Sequence, residues 1–199
     1  MLSIKKRKQY LKYIGLYNGT LDDKNTALYR EAVRKLQNTY FPERLQTGKY
    51  AGWTEILLRN AVRVKRYTTN FELKEFACGC GGKYCSKYPK LISIDLLKYL
   101  QQIRDYYKEP IYISSSLRCL KYNDSLRGSI SNSEHTLGKA VDFYTSSTTS
   151  LDYRKKLIDY FIKKTNANYS YCDGYYRTKA KKGSINASYM DDSIHIDVK

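Results

Sequence analysis

A ten-residue stretch in the second half of the chain reads Ser133-Glu134-His135-Thr136-Leu137-Gly138-Lys139-Ala140-Val141-Asp142. It separates a histidine from an aspartate by seven positions and places two small residues, Gly138 and Ala140, between them. If a loop leads into a strand here, the His135 and Asp142 side chains can converge on one point. The stretch therefore predicts a two-residue cluster at the start of a strand near residues 140–143.

The other histidine of the chain lies far downstream, in the run Asp191-Asp192-Ser193-Ile194-His195-Ile196-Asp197. Two imidazoles and one carboxylate suit a catalytic zinc ion and leave a fourth position for water. His135, Asp142 and His195 are therefore the predicted zinc ligands. Asp192, three residues before His195, is the predicted general base, and the adjacent Asp191 is the alternative. Two histidines packed separately, without a metal, remain the competing interpretation.

Hydrophobic patterns around these runs predict a mixed second half of the chain. Apolar residues recur on one face from the cap Ser93 to about Tyr107, and again over about residues 151–164, which indicates two helices. Short strands are predicted at residues 111–115, 140–143, 171–176 and 194–198. Because helices and strands do not strictly alternate, the predicted class is α+β with a central antiparallel sheet.

The first part of the chain is patterned as a small helical unit. Helices are predicted over about residues 3–14, from the cap Thr26 to residue 40, and from about Thr54 onward. The breaker Asn18-Gly19 lies in the turn between the first two. The predicted organisation is a three-helix domain at 1–66, a linker at 67–71 and a second domain at 72–199.

Charge and hydropathy limit the possible partners. Lys and Arg number 36 and Asp and Glu number 19, so the formal net charge is +17. Such a surface attracts polyanions, of which nucleic acid and an anionic cell envelope are the two candidates. The basic residues are scattered and accompany no nucleic-acid motif, so a specific nucleic-acid partner is not expected. The 22 tyrosines are read as compositional bias and receive no functional role.

Neither a membrane span nor an export signal is expected. No stretch approaches the roughly 18 uncharged apolar residues that a span requires. The basic run Lys5-Lys6-Arg7-Lys8 is not followed by the apolar core of a signal peptide. We therefore expect a soluble protein made in a cytoplasm, with export by a route that the sequence does not show as the alternative.

Five cysteines, an odd number, occur at Cys78, Cys80, Cys85, Cys119 and Cys172. Without an export signal, an obligatory disulfide framework is not expected. The spacing Cys-x-Cys-x4-Cys lacks a clear fourth zinc ligand, although Cys119 or Cys172 could approach in space. Free or partly buried thiols are the prediction, with a disulfide formed outside the cell and a second metal site as alternatives.

The ten-residue stretch fits the pattern Ser-x-His-x-x-Gly-x-Ala-x-Asp at every specified position. It resembles the first zinc signature of the metallopeptidase family of D-alanyl-D-alanine carboxypeptidases and L-alanyl-D-glutamate endopeptidases. The resemblance covers about residues 72–199. It implies three zinc ligands and a base: His135, Asp142, His195 and Asp192.

The same resemblance assigns Arg118, and the position of Asp197 suggests a second role. Arg118, in Ser115-Ser116-Leu117-Arg118, is implied to hold the substrate carbonyl or the developing oxyanion, a role that suits a rigid and always charged guanidinium. Asp197, two residues after His195, is predicted to be a partner of this ligand histidine. The alternative for Asp197 is an exposed position at a strand end.

The N-terminal part resembles the peptidoglycan-binding three-helix domain found at the ends of cell-wall hydrolases. The matching segments are residues 11–19, residues 32–37, and Gly48 with Trp53-Thr54. Asp23 stands where that family usually has a second glycine. A helical bundle without a ligand is the alternative.

Together the resemblances imply a phage endolysin, a monomeric zinc peptidase that cuts the stem peptides of peptidoglycan. The L-Ala–D-Glu bond is favoured. The protein would stay in the host cytoplasm until lysis and then act on the anionic cell wall. The alternatives are a D-Ala-D-Ala carboxypeptidase or dipeptidase, a host autolysin, and a non-catalytic wall-binding protein. A nucleic-acid-binding protein is a further alternative, and only the positive charge favours it.

Overall fold

Three helices open the chain, and side-chain caps define where the first two begin. The computed structural model describes residues 1–198, in which these helices are α1 (Ile4–Tyr13), α2 (Ala27–Tyr40) and α3 (Gly52–Tyr67). The Ser3 and Thr26 hydroxyls accept hydrogen bonds from the first turns of α1 and α2, as expected of N-caps. Helix α3 begins slightly before the predicted Thr54 and extends to the end of the predicted domain.

Some of the residues on which the N-terminal resemblance depends form hydrogen bonds between loops and helices within this unit. The buried Gln37 amide donates to the Thr54 hydroxyl and to the Lys49 carbonyl, both at 2.9 Å, and accepts from the Gly48 N–H at 2.7 Å. The fully buried Lys8 ammonium pairs with Asp22 in the turn after α1. Gln37, Gly48 and Thr54 therefore act as internal structural contacts.

Within residues 1–198, the second part of the chain contains the other helices and all the strands of the sheet. Its helices are α4 (Ile94–Tyr107), α5 (Leu120–Asn123), α6 (Glu134–Leu137) and α7 (Leu151–Lys164). Its strands are β1 (Tyr112–Ser115), β2 (Ala140–Tyr144), β3 (Ala167–Cys172), β4 (Tyr175–Thr178), β5 (Lys182–Gly183) and β6 (Ile194–Val198). Short 3-10 helices lie at Glu43–Leu45, Leu73–Phe76 and Ser188–Met190.

The six strands form one sheet in the order β1-β2-β6-β3-β4-β5, and the pairings between neighbours are antiparallel. Strands β2 and β6 lie near its centre and are buried along most of their length. The predicted α+β class with an antiparallel sheet is confirmed. Within residues 1–198, no helix combines the length and apolar character needed to cross a membrane.

The predicted single strand at residues 171–176 is wrong. That segment crosses the turn of a β3–β4 hairpin, in which Cys172 pairs with Tyr175 around Asp173 and Gly174. Gly174 has a φ of +84°, a conformation that glycine adopts at little cost. The Asp-Gly dipeptide is a hairpin signal, so the turn could have been recognised from the sequence.

The two parts of the chain share one hydrophobic core. The side chain of Asn60, on α3, donates to the Lys90 carbonyl and accepts from the Ile92 N–H, both at 2.9 Å. In the predicted linker, Tyr67 belongs to α3, and Thr68 and Phe71 are buried. Part of the predicted linker therefore belongs to a helix or is buried in the fold, while the division into two domains stays a prediction.

Candidate functional site

The sheet register places two of the predicted ligands side by side. Asp142 on β2 and His195 on β6 are direct partners in the antiparallel ladder, so their side chains point to the same face. His135 lies on α6, and the chain then reverses into β2 through Gly138.

Gly138 makes this reversal possible. Its φ is +73°, and an added Cβ would lie 2.3 Å from the Leu91 carbonyl oxygen. The Gly138 carbonyl in turn accepts from the Ser93 N–H, at the cap of α4. The glycine of the ten-residue stretch is therefore required by the backbone path that brings His135 over Asp142.

The structure brings His135, Asp142 and His195 together. Nδ1 of His195 lies 2.7 Å from Oδ1 of Asp142, and Nε2 of His135 lies 3.2 Å from the same oxygen. One potential ligand atom from each residue lies within 4.8 Å of the others. All three residues are more than nine-tenths buried. This donor set fits a single zinc ion.

Contacts behind the cluster orient both imidazoles. Nδ1 of His135 lies 2.7 Å from the Ser116 carbonyl oxygen, which can only accept, so Nδ1 carries the proton and Nε2 faces Asp142. Nε2 of His195 lies 3.7 Å from Oδ2 of Asp197, whose Oδ1 accepts from the Tyr169 N–H at 3.0 Å. Asp197 is buried within β6 and faces His195, so the alternative of an exposed strand end is wrong.

Burial and mutual charge set the protonation of the cluster. Burial lowers the pKa of His135 below its ordinary value. Burial alone would raise the pKa of Asp142, but the two imidazoles outweigh it and hold that pKa well below its usual range. Burial also opposes charge on His195, yet Asp142 and Asp197 raise the pKa of His195 to about 9. A cation bound here would therefore displace a proton from His195.

Arg118 lies at the cluster. Its Nη2 donates to Oδ2 of Asp142 at 2.6 Å, and its Nε donates to the Ser115 hydroxyl at 3.0 Å. The guanidinium is mostly buried and lines the adjacent cleft. The bond to Asp142 fixes one edge of the guanidinium beside the predicted ligands.

Asp192 is not brought into the cluster. Its Oδ1 accepts from Nη1 of Arg154 at 2.9 Å, and Arg154 is anchored in turn on the Thr148 carbonyl. The Asp192 side chain is 54% exposed, and Asp192 is absent from the residues of the described chain that line the cleft. Asp191 precedes it with a positive φ of +47° and a ψ of −124°. Asp192 as the base therefore stays a prediction.

A cleft of about 980 Å³ opens beside the cluster. Four tyrosines line it: Tyr99, Tyr169, Tyr171 and Tyr189. The ring of Tyr171, which pairs with His195 across β3 and β6, has its centroid 4.7 Å from that of the imidazole. The composition of the chain predicts no role for its tyrosines, whereas the alternation of Tyr169 and Tyr171 along one strand is a pattern that could have indicated these two.

Glu134 is a further cleft residue that the sequence patterns did not predict. It precedes His135, lines the cleft, and has a buried Oε2 atom without a hydrogen-bond partner in residues 1–198. A carboxylate oxygen without a partner in a cleft is available to bind a substrate N–H group or to accept a proton.

Part of the chain that forms this site matches a known protein family. Residues 69–160 match the family model described as Peptidase M15. The match supports a metallopeptidase of that family for this part of the chain. It includes Arg118, His135 and Asp142, and it ends before Asp192 and His195. No curated protein matches the chain.

Proposed function

We propose that this protein is a zinc peptidase that cleaves stem peptides of peptidoglycan. The observation that carries the proposal is the convergence of His135, Asp142 and His195 at the wall of the cleft. The family match supports the metallopeptidase chemistry. Peptidoglycan is proposed as the substrate because both halves of the chain resemble proteins of the cell wall.

The donor chemistry supports zinc as the metal. Two imidazole nitrogens and one carboxylate oxygen are suitable zinc ligands, and three protein ligands are typical of catalytic rather than structural sites. Zinc in this site would polarise a carbonyl group and lower the pKa of a water molecule towards neutrality.

Arg118 is proposed to bind the substrate carbonyl oxygen as negative charge develops on it. The contact with Asp142 leaves the guanidinium preorganised at the edge of the cleft, and a fixed donor of this kind favours the transition state. Tyr171 and the other cleft tyrosines are proposed to pack against the peptide and exclude water from it.

Asp192 is proposed as the group that accepts a proton from the attacking water. This role requires that Asp192 exchange its contact with Arg154 for one with the water. Glu134 is the competing candidate, because its Oε2 atom is already in the cleft without a partner. Asp191 remains the third possibility.

The proposed setting is that of an endolysin. The charge of +17 would attract the anionic polymers of the wall, and the N-terminal helices would contribute to that binding. We propose a monomer that is held in the host cytoplasm until lysis and then acts on the wall. Cleavage of L-Ala–D-Glu is favoured; a carboxypeptidase or dipeptidase acting on D-Ala-D-Ala, a host autolysin and a non-catalytic binding protein are the competing assignments.

Mass spectrometry of the products from purified peptidoglycan tests the proposal. An L-Ala–D-Glu endopeptidase would release the stem peptide that begins with D-Glu, whereas a carboxypeptidase would release D-Ala alone. The His195→Ala variant is the matched control and should release neither. Wall binding without any peptide product would support the non-catalytic alternative and contradict the proposal.

A further inference from the structure

Four of the five cysteines converge away from the candidate active site. Cys78, Cys80 and Cys85 lie on the loop that follows the 3-10 helix Leu73–Phe76, and Cys119 caps α5. The four sulfurs lie within 4.8 Å of one another, and the sulfurs of Cys80 and Cys85 are 3.4 Å apart. Cys119 supplies the fourth donor that the spacing of the first three lacks.

Backbone hydrogen bonds fold this loop around the sulfurs. The Cys78 N–H donates to the Lys87 carbonyl at 2.7 Å and closes the loop at its base. Within it, the Gly81 N–H donates to the Cys78 carbonyl at 3.2 Å and the Lys83 N–H donates to the Cys80 carbonyl at 2.9 Å. These turns direct Cys80 and Cys85 back towards Cys78.

The spacing of the sulfurs fits a tetrahedral ion. Zn–S bonds of about 2.3 Å place the sulfurs of a four-cysteine site about 3.8 Å apart. A disulfide requires a separation of about 2.05 Å and joins sulfurs only in pairs. A mutual approach of four sulfurs is the arrangement that one ion would require.

The surroundings suit a negatively charged centre. The Cys119 N–H donates to the Cys78 sulfur at 3.3 Å, and such a donor stabilises the thiolate, the form that binds metal. Four thiolates bound to Zn²⁺ would give the site a net charge of −2. The cations Lys83 and Lys87 belong to the same loop, and Lys121 belongs to α5. Nη2 of Arg44, from the N-terminal part, donates to the Cys85 carbonyl at 2.9 Å.

We propose that Cys78, Cys80, Cys85 and Cys119 bind one zinc ion as a structural site. With four protein ligands the ion has no open position, so it stabilises the fold and takes no direct part in catalysis. Cys119 follows Arg118 in the chain, so the ion would fix the segment that carries the candidate oxyanion donor. The inference is independent of the proposed peptidase activity.

The test uses the full chain with the candidate active site disabled. The His135→Ala/His195→Ala double variant, purified under reducing conditions, should retain one zinc ion per chain by elemental analysis. Adding Cys80→Ser and Cys85→Ser should abolish that zinc, whereas adding Cys172→Ala should leave it in place. Cys172 is the matched control because it lies on β3, outside the cluster.

A second measurement does not depend on cysteine variants folding. Cobalt replacing zinc in the double histidine variant should give the intense near-ultraviolet absorption of cobalt–thiolate bonds. Purification of this double variant without zinc would overturn the proposal. This holds both for a chain with five titratable thiols and for a chain whose mass is lowered by disulfide formation. Zinc that survives in the Cys80→Ser/Cys85→Ser background would overturn it as well.

Discussion

At the level of single residues, the candidate site depends on the side chains of His135, Asp142 and His195 and on the backbone conformation of Gly138. The spacing of His135 and Asp142 and the presence of His195 could be taken from the sequence, and the structure brings these residues together. The ion pair between Asp192 and Arg154 could not be predicted from the sequence, because it joins residues 38 positions apart through a tertiary contact. The same holds for Cys119, whose proximity to the other cysteines results from folding.

Replacing Gly138 with alanine should destabilise the protein by more than about 1 kcal/mol. The substitution combines an unfavourable positive φ with a Cβ at 2.3 Å from the Leu91 carbonyl. Gly52→Ala is the matched control, because no atom lies within 4 Å of its added Cβ and alanine favours a helix. Urea unfolding of both variants tests this, and equal midpoints would contradict it.

The Asp192→Asn variant should keep its zinc and lose about 10²–10⁴-fold in kcat, because the amide cannot accept the proton. Steady-state kinetics on a soluble stem peptide, with zinc content measured in parallel, is the test. Glu134→Gln and Asp191→Asn are the isosteric comparisons and should retain most of the parental kcat. If Glu134→Gln shows the large loss instead, the proton acceptor is Glu134.

At the level of secondary-structure elements, local sequence patterns predict most of the helices. They predict only some features of the sheet. Ser93, Thr26 and Ser150 cap helices through their own side chains, which is a local effect visible in sequence. The antiparallel order of β1, β2, β6 and β3 depends on long-range pairing. The missed β3–β4 hairpin shows that a tyrosine-rich run can conceal an Asp-Gly turn.

Asp159 links α7 to the β3–β4 hairpin and should confer pH-dependent stability. Its Oδ1 accepts from the Tyr175 hydroxyl and from Nη1 of Arg177, both at 2.7 Å. Burial opposes its charge, but these two donors outweigh burial and lower the pKa of Asp159. A depressed pKa stabilises the fold above the unfolded-state value of about 4, and that stability is lost as the pH falls through the folded-state value.

The Asp159→Asn variant should therefore be about 1 kcal/mol less stable than the parent at pH 7, with a difference that fades below about pH 4. Asp152→Asn, on the same helix but with an 86% exposed side chain, should change stability by less than about 0.5 kcal/mol. Thermal or urea unfolding between pH 7 and pH 3 measures both. A pH-independent difference would contradict the assignment.

At the scale of the whole molecule, the shared core and the net charge are the dominant features. The sequence predicted two units from a change in pattern, and the structure packs Asn60 and Arg63 of α3 against the segment before α4. Such packing depends on surface complementarity, which hydrophobic periodicity does not encode. The net charge of +17, in contrast, is a property of composition and can be counted directly from the sequence.

Wall binding should depend strongly on salt. The His195→Ala variant, which should bind without degrading the wall, is expected to sediment with wall fragments at low salt and to be released at about 0.5 M NaCl, where screening is strong. Fragments stripped of their acidic polymers are the control and should bind less. Binding that persists unchanged at high salt would indicate a shaped site rather than charge.

We propose that His135, Asp142 and His195 bind a catalytic zinc ion. Elemental analysis of zinc per chain in the parent and in the His135→Ala and His195→Ala variants tests this most directly. Each variant should contain one zinc ion fewer than the parent, because two remaining ligands rarely hold a catalytic metal. Equal zinc content in the parent and both variants would contradict the claim.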